Sequence, residues 1–143
     1  MEMKDVLISI KGMQNLGGNH DEAELITQGK YGCDEDTAHF FYNESELTGL
    51  EGTTTDFVVT PAEVILSRSG SVNSQMVFQR GKRHSFMYDT PYGTFTLALN
   101  TNRIQSDLGE HGGNLEVEYN LDIENAHLSR NTVIINVREQ RRN

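Results

Sequence analysis

The sequence predicts an all-β chain that folds as a closed, antiparallel up-and-down β-barrel of about eight to ten strands. Apolar and polar residues alternate without interruption from Leu115 to Ile123, as in a strand with one buried and one solvent-facing side. Similar short segments recur along the chain, each bounded by Gly, Asn, Asp or Pro, and helical periodicity is nearly absent. We favour a barrel over a sandwich because only closure removes the exposed edges of a sheet.

The predicted strands follow one another at short spacing and are rich in β-branched and aromatic residues. In chain order they span residues 6–10, 24–31, 38–46, 53–60, 63–68, 75–79, 83–89, 94–100, 115–123 and 132–137. Because the connections between them are short, each strand should pair with the next in a meander.

Turn residues support these boundaries. The segment Thr90–Gly93 predicts a tight hairpin, because the proline at its second position fixes φ and the closing glycine can adopt the left-handed conformation. The strands on either side of it should therefore pair with each other. Pro61 cannot donate to a strand ladder, so it should mark the corner between its flanking strands. Residues 15–20 and 109–114, rich in Gly and Asn, are expected to be loops.

Composition favours one domain spanning residues 1–143. A chain of 143 residues can bury a core without disulfides or structural metal, and no repeat or linker divides it. The mean hydropathy of -0.54 fits a sheet in which every second residue faces water. Cys33 is the only cysteine, which excludes an intramolecular disulfide. With no signal-peptide pattern and no apolar run near the ~20 residues of a membrane helix, we predict a cytoplasmic protein.

The formal net charge of -9 disfavours nucleic acid and membrane surfaces as partners. Basic residues cluster at 82–84 and at Arg138, Arg141 and Arg142, but no aromatic residues for base stacking interleave with this tail. The acidic segment 33–36 lacks the ligand spacing of a zinc or calcium site, so we expect no metal. Both a monomer and a homodimer are compatible with the sequence.

One set of segments extends over nearly the whole chain, from about Val6 to Val137. It comprises Gly29–Tyr31, Gly49–Thr55, Val64–Gly70, Tyr88–Gly93 and Tyr119–Leu121. In combination these segments resemble the YwiB-like proteins of Gram-positive bacteria, a family of unknown function. The resemblance implies a lipocalin-like, calycin-type barrel and no particular activity or site residue. The sequence differs from secreted lipocalins because it has no Trp, and from cytosolic fatty-acid carriers because Met13–Asp21 is too short for a two-helix lid.

Strand alternation places polar side chains on the same faces as apolar ones, so we expect a polar barrel interior. The set is Tyr42, Glu44, Thr53, Thr55, Arg68, His84, Tyr88, Arg103 and Tyr119. In one hypothesis, Arg68 and Arg103 bind the carboxylate or phosphate of a small amphipathic ligand, which guanidinium groups match with paired hydrogen bonds. Tyr88 and Tyr119 would add hydroxyl donors, and His84 and Glu44 complete the predicted set of ligand-binding residues. Alternatively, Arg68 forms an ion pair with Glu44 and side chains fill a barrel that serves only as a scaffold.

Two further roles are open. A hydrolase or isomerase would use His84 as a general base oriented by Glu44 or Asp89. The sequence has no nucleophile elbow, P-loop or dinucleotide fingerprint, so we expect no cofactor. In a protein-interaction module, the adjacent aromatic residues at 40–42 must place at least one ring on each face of their strand. Phe41 is then a candidate for an exposed interaction patch.

Overall fold

Backbone hydrogen bonds join ten strands into one antiparallel sheet in a computed structural model that describes residues 1–123 and 126–140. The strands are β1 (Lys4–Leu16), β2 (Asn19–Asp34), β3 (Thr37–Asn43), β4 (Thr53–Val59), β5 (Val64–Gly70), β6 (Ser74–Phe78), β7 (Arg83–Thr90), β8 (Gly93–Ser106), β9 (Gly112–Ile123) and β10 (Ala126–Glu139). Each predicted strand corresponds to one of these, and most extend beyond the predicted bounds.

The strand order is β6-β5-β4-β3-β2-β1-β10-β9-β8-β7, so each strand lies beside its neighbours in sequence and the first pairs with the last. The edge strands approach each other at a backbone bridge between Asn73, just before β6, and Asp89 in β7, and Arg80, just after β6, forms a second bridge with Thr101 in β8. The chain is therefore a nearly closed up-and-down β-barrel, as predicted. No helix in the described part of the chain is long and apolar enough to cross a membrane.

The predicted turn chemistry is confirmed in the β7–β8 hairpin. Thr90 lies opposite Gly93, whose φ of 137° is in the region that favours glycine. The Thr90 hydroxyl also donates to the Gly93 carbonyl oxygen at 2.9 Å. Pro61 lies in the turn between β4 and β5, where the Thr60 amide donates to the carbonyl oxygen of Glu63 at 2.9 Å. The proline therefore stands outside both ladders, where its missing N–H is not needed.

The first hairpin is longer than predicted. The expected loop 15–20 shrinks to Gly17 and Gly18, whose φ values of 57° and 88° are both positive, as a two-residue type I′ turn requires. As a result, the β1–β2 ladder is continuous from the pair Lys4 and Tyr31 to the pair Leu16 and Asn19. In contrast, the predicted third strand ends early, because residues 45–49 turn instead of continuing the ladder.

Apolar side chains from strands all around the barrel form one buried cluster. Its fully buried members include Val6, Ile8, Tyr31, Phe40, Val64, Leu99, Leu115 and Ile135. The rings of Phe40 and Phe57 stack with centroids 4.8 Å apart. The Tyr31 hydroxyl donates to the Gly109 carbonyl oxygen at 2.6 Å, so its buried polar atom has a partner. Each large apolar side chain in this cluster contributes about 1.5–3 kcal/mol relative to an exposed position.

The barrel wall has an opening between β2 and β3. The two strands pair only where residues 30–34 lie opposite 37–41, and the earlier part of β2 pairs with β1 alone among the described residues. They separate at Gly29, where an added Cβ would lie 2.5 Å from both the Ile8 Cδ1 atom and the Phe41 carbonyl oxygen. Only glycine fits that contact. The β3–β4 connection, residues 44–52, borders the opening on the other side.

Candidate ligand-binding site

A row of polar side chains crosses the inner face of β3, β4, β5 and β6. Tyr42 lies opposite Thr55, Thr55 opposite Arg68, and Arg68 opposite Ser74 in the three ladders. Residues directly opposite each other in antiparallel strands project to the same side of the sheet. Tyr42 and Thr55 are buried, so this side is the interior. The predicted polar interior is therefore present next to the opening.

The guanidinium group of Arg68 has no partner among the described residues. Its Nε atom is shielded from solvent and makes no hydrogen bond, and the rest of the side chain is half-buried. No nitrogen of Arg68 lies within 4.0 Å of a described carboxylate oxygen, so the predicted ion pair with Glu44 is wrong. A buried donor without an acceptor costs about 1–3 kcal/mol, more for a charged group. The Nε–H group is therefore a buried donor that no described side chain satisfies.

Glu44 is held rigidly beside this row. It follows the last residue of β3 and is 8% exposed. Its Oε2 atom accepts a hydrogen bond from the Thr48 hydroxyl at 2.8 Å, and its Oε1 atom accepts one from the Thr55 hydroxyl at 3.2 Å. Its backbone amide donates to the Thr53 carbonyl oxygen at 2.8 Å. These partners fix the orientation of the carboxylate, but all of them are neutral.

Two tyrosine hydroxyls are within the electrostatic reach of Arg68. Burial raises the pKa of Tyr42, the nearby Glu44 carboxylate raises it further, and the positive charge of Arg68 opposes both effects. Burial also raises the pKa of Tyr119, again opposed by Arg68. The Tyr119 ring packs edge-on against Phe78, with centroids 4.9 Å apart. At neutral pH both tyrosines are therefore protonated and can donate hydrogen bonds.

A cavity of about 550 Å³ lies between β2 and the β3–β4 connection, with Arg68 in its wall. It is lined by Ile10, Gly12, Ala23, Glu24, Leu25, Tyr42, Glu44, Leu47, Thr48, Leu50 and Arg68. A smaller hollow of about 270 Å³ shares Gly12 and Ala23 with it and reaches Tyr119 and Asn131. Small-molecule sites in proteins commonly have about 300–1,000 Å³ and combine apolar walls with a few polar groups. The cavity has both properties.

The predicted ligand-binding residues divide into two groups. Arg68 and Glu44 line the cavity, and Tyr119 lines the adjoining hollow. Tyr88 packs against the core cluster as a partly buried residue and lines neither space. His84 and Arg103 also line neither. Three of the six predicted residues therefore line the two spaces, and the other three lie elsewhere.

His84 does not form the predicted pair with a carboxylate. Its Nε2 atom lies 2.7 Å from Oε1 of Gln79, and no described carboxylate lies within ion-pair distance of the ring. Asp89 instead accepts a hydrogen bond from the Thr94 hydroxyl at 2.8 Å. A general base needs an orienting acceptor, and the described residues supply no carboxylate partner at His84. The expectation that Glu44 or Asp89 orients His84 is wrong.

The expectation that Arg103 points into the barrel is also wrong. The β8–β9 ladder has a β-bulge after Thr101, where Asn102 is inserted without a partner. One extra residue reverses the alternation of every side chain beyond it. The Arg103 side chain is consequently 49% exposed, with its Nη1 atom 3.7 Å from Oε2 of Glu116.

Sequence reasoning missed the apolar part of the cavity. Leu47 and Leu50 lie in the β3–β4 connection, and Leu25 and Gly12 line the opposite side. Leu47 is 83% exposed despite its apolar side chain. A signal was available, because two leucines in an otherwise polar connection are unusual, and loops held by a rigid scaffold often carry function.

On the outer surface, Phe41 is half-buried, with its ring centroid 5.8 Å from that of His39. The Nε2 atom of His39 lies 2.7 Å from Oδ2 of Asp56. Phe41 therefore faces outward as the alternation predicted, but it is covered in part by its neighbour. Among residues 1–123 and 126–140, no group of three or more His, Cys, Asp or Glu side chains is placed to hold a metal ion. Arg141 and Arg142 of the basic tail lie outside the described residues.

Comparisons with known proteins agree on a family and a fold. Residues 8–135 match the family model described as "Domain of unknown function (DUF1934)". The chain is 28% identical over 130 residues to the uncharacterized beta-barrel protein YwiB of Bacillus subtilis (strain 168), covering 90% of each sequence. It is also similar to the crystal structure of the ywiB protein from Bacillus subtilis, with a TM-score of 0.87, 24% identity, and coverage of 97% of this chain and 94% of that one. The structural likeness concerns the barrel fold.

Proposed function

The chain belongs to the DUF1934 family, and from the geometry of its barrel we propose that it binds a small amphipathic molecule in the cavity beside Arg68. The anionic group of the ligand would accept hydrogen bonds from the guanidinium group. Its apolar part would lie between β2 and the β3–β4 connection. The observation that carries this proposal is the Arg68 Nε atom, which is buried and has no acceptor among the described residues.

An unpaired guanidinium group lowers the stability of the empty barrel. A barrel that served only as a scaffold would gain stability if an apolar residue replaced an unpaired guanidinium group. A carboxylate, sulfonate or phosphate in the cavity would instead form short, charge-assisted hydrogen bonds with it. Tyr119, whose burial raises the pKa of its hydroxyl, supplies a second, protonated donor from the adjoining hollow. A bound anion would therefore supply the acceptor that Arg68 lacks among the described residues.

The apolar wall of the cavity indicates that the ligand also carries an apolar group. Ile10 and Leu25 face the cavity from β1 and β2, and Leu47 and Leu50 face it from the opposite side. Burial of apolar area there contributes about 25 cal/mol per Å². The highly exposed Leu47 has the most to gain from covering a ligand. An anion with an attached hydrocarbon or aromatic group fits this arrangement better than an inorganic anion does.

The test uses anilinonaphthalene sulfonate, a fluorescent amphipathic anion. We expect wild-type protein to bind it saturably and Arg68→Met to bind it about tenfold more weakly, since a charge-assisted hydrogen bond is lost. Arg103→Met is the matched control, because it removes an exposed arginine outside the barrel. Equal affinity in wild type and Arg68→Met would overturn the proposal, as would an equal loss in both variants.

We further propose that the protein acts in the cytoplasm and binds neither nucleic acid nor membranes. The formal net charge of -9 supports a partner that is neither nucleic acid nor an anionic membrane surface. The single free cysteine, Cys33, is consistent with a reducing compartment such as the cytoplasm. Filter binding with duplex DNA and fractionation of the producing cells test these two points separately from ligand binding.

A further inference from the structure

We infer that the ligand is a zwitterion, an amino acid or short peptide with free amino and carboxyl ends, whose ammonium group binds Glu44 while its carboxylate binds Arg68. This inference rests on the proposed function and names the chemical class of its ligand. It comes from the fact that two opposite charges line one cavity without pairing with each other.

The separation of the two charges is built into the strands. Arg68 lies opposite Thr55, and Glu44 is fixed to the hydroxyls of Thr55 and Thr48. Both charged groups lie close enough to the Tyr42 hydroxyl to shift its pKa, which Glu44 raises and Arg68 lowers. A direct ion pair is nevertheless absent within 4.0 Å. The two groups are therefore close enough for one small molecule to reach both, and far enough apart to leave each available.

Glu44 retains capacity for a charged donor. Its two oxygens together can accept about four hydrogen bonds, and the hydroxyls of Thr48, Thr55 and Tyr42 are the donors that reach them. Hydroxyl donors do not neutralise the negative charge, whereas an ammonium group would. Thr48 and Thr55 thus position the carboxylate without satisfying it.

The charge balance of the cavity favours a zwitterion over a simple anion. Glu44 and Glu24 both line it, against the single positive charge of Arg68. A ligand with only a negative group would gain from Arg68 but be repelled by both glutamates and by the overall charge of -9. A zwitterion carries no net charge and meets an opposite charge at each end. Its apolar side chain would then contact Leu25 and Leu50.

The experiment measures binding of L-leucyl-L-leucine, its N-acetyl derivative and its carboxyl-terminal amide by isothermal titration calorimetry. Wild-type protein should bind the free dipeptide about tenfold more tightly than either derivative, because each derivative loses one charge-assisted contact. Glu44→Gln should lose the discrimination against the N-acetyl derivative and keep that against the amide. Arg68→Met should show the reverse. Glu118→Gln and Arg103→Met, changes on the outer face, should keep both discriminations.

Failure of this inference is distinguishable from failure of the proposed function. If wild-type protein binds the N-acetyl derivative as tightly as the free dipeptide, or binds no dipeptide at millimolar concentration, the zwitterion inference is wrong. Arg68-dependent binding of anilinonaphthalene sulfonate would still support the broader proposal. The comparison of the three dipeptides on wild-type protein needs no variant, so it decides the question even if Glu44→Gln does not fold.

Discussion

The hydroxyl of Thr55 donates a hydrogen bond of 3.2 Å to Oε1 of Glu44, whereas the hydroxyl of Thr101, equally buried, has no partner among the described residues. Thr55 lies in β4 and Thr101 in β8, and both side chains are buried. Their different surroundings make the same substitution act in opposite directions.

Thr55→Val should lower the free energy of unfolding by about 1–3 kcal/mol, because it leaves a buried carboxylate oxygen without its donor. Thr101→Val is the matched control and should be neutral or stabilising by up to about 1 kcal/mol, because it replaces an unsatisfied buried hydroxyl with a methyl group of similar shape. Urea denaturation of both variants at pH 7 measures the difference. Equal destabilisation by the two substitutions would contradict the assignment of their partners.

Arg80 links the β6–β7 connection to β8 at the seam, the place where the two edges of the sheet meet and close the barrel. Its Nε and Nη2 atoms donate to the carbonyl oxygen of Ile104, just past the bulge in β8, at 3.2 and 2.6 Å. We expect Arg80→Met to reduce stability by about 1–2 kcal/mol, a value lowered by the exposure of the side chain. Amide hydrogen exchange should accelerate most at Gly81, whose amide donates to Thr101 across this seam.

The control for Arg80 is Arg83→Met. Arg83 forms a 2.6 Å ion pair with Asp122, but its side chain is 42% exposed. Exposed pairs contribute about 0–1 kcal/mol, so this variant should unfold near the wild-type denaturant concentration. If Arg83→Met slows or speeds exchange at Gly81 as much as Arg80→Met does, the seam does not depend on the Arg80 contact.

The sequence predicted the elements of this fold because each of them is local. Alternation and turn residues lie within a few positions of one another, as in Thr90–Gly93 and at Pro61. The bulge at Asn102 was not predictable, since nothing in its residue type differs from an ordinary strand position, and it alone turned Arg103 outward. The opening between β2 and β3 was missed for another reason. It depends on where two strands stop pairing, at Lys30 opposite Phe41, and no residue pattern within either strand marks that point.

Glu139 should titrate far below an ordinary glutamate. Hydrogen bonds from Lys4 at 2.6 Å and His111 at 2.9 Å to its Oε1 atom lower its pKa from 4.5 to about 2. Because the pKa is depressed in the folded state, the pair stabilises the fold above about pH 4.5, and this contribution is lost as the pH falls towards 2. A carboxyl ¹³C NMR titration of Lys4→Met should show the Glu139 midpoint move up towards 4.5.

The matched variant for this titration is His111→Asn, which removes the second and smaller cause of the shift. Its effect on the Glu139 midpoint should have the same direction as that of Lys4→Met and a smaller size. A midpoint that stays near 2 in Lys4→Met would show that the ion pair between β1 and β10 does not set the pKa.

Gly12 offers a way to close the cavity without disturbing the barrel. It lines both the cavity and the adjoining hollow, and an added Cβ would meet no atom within 4 Å. We expect Gly12→Leu to keep the wild-type melting temperature and to abolish binding of anilinonaphthalene sulfonate, because the new side chain occupies the ligand's apolar position. Gly29→Ala is the contrasting variant. Its Cβ would lie 2.5 Å from the Phe41 carbonyl oxygen, so it should destabilise the fold by about 1–3 kcal/mol. Full binding by a folded Gly12→Leu protein would place the ligand somewhere other than this cavity.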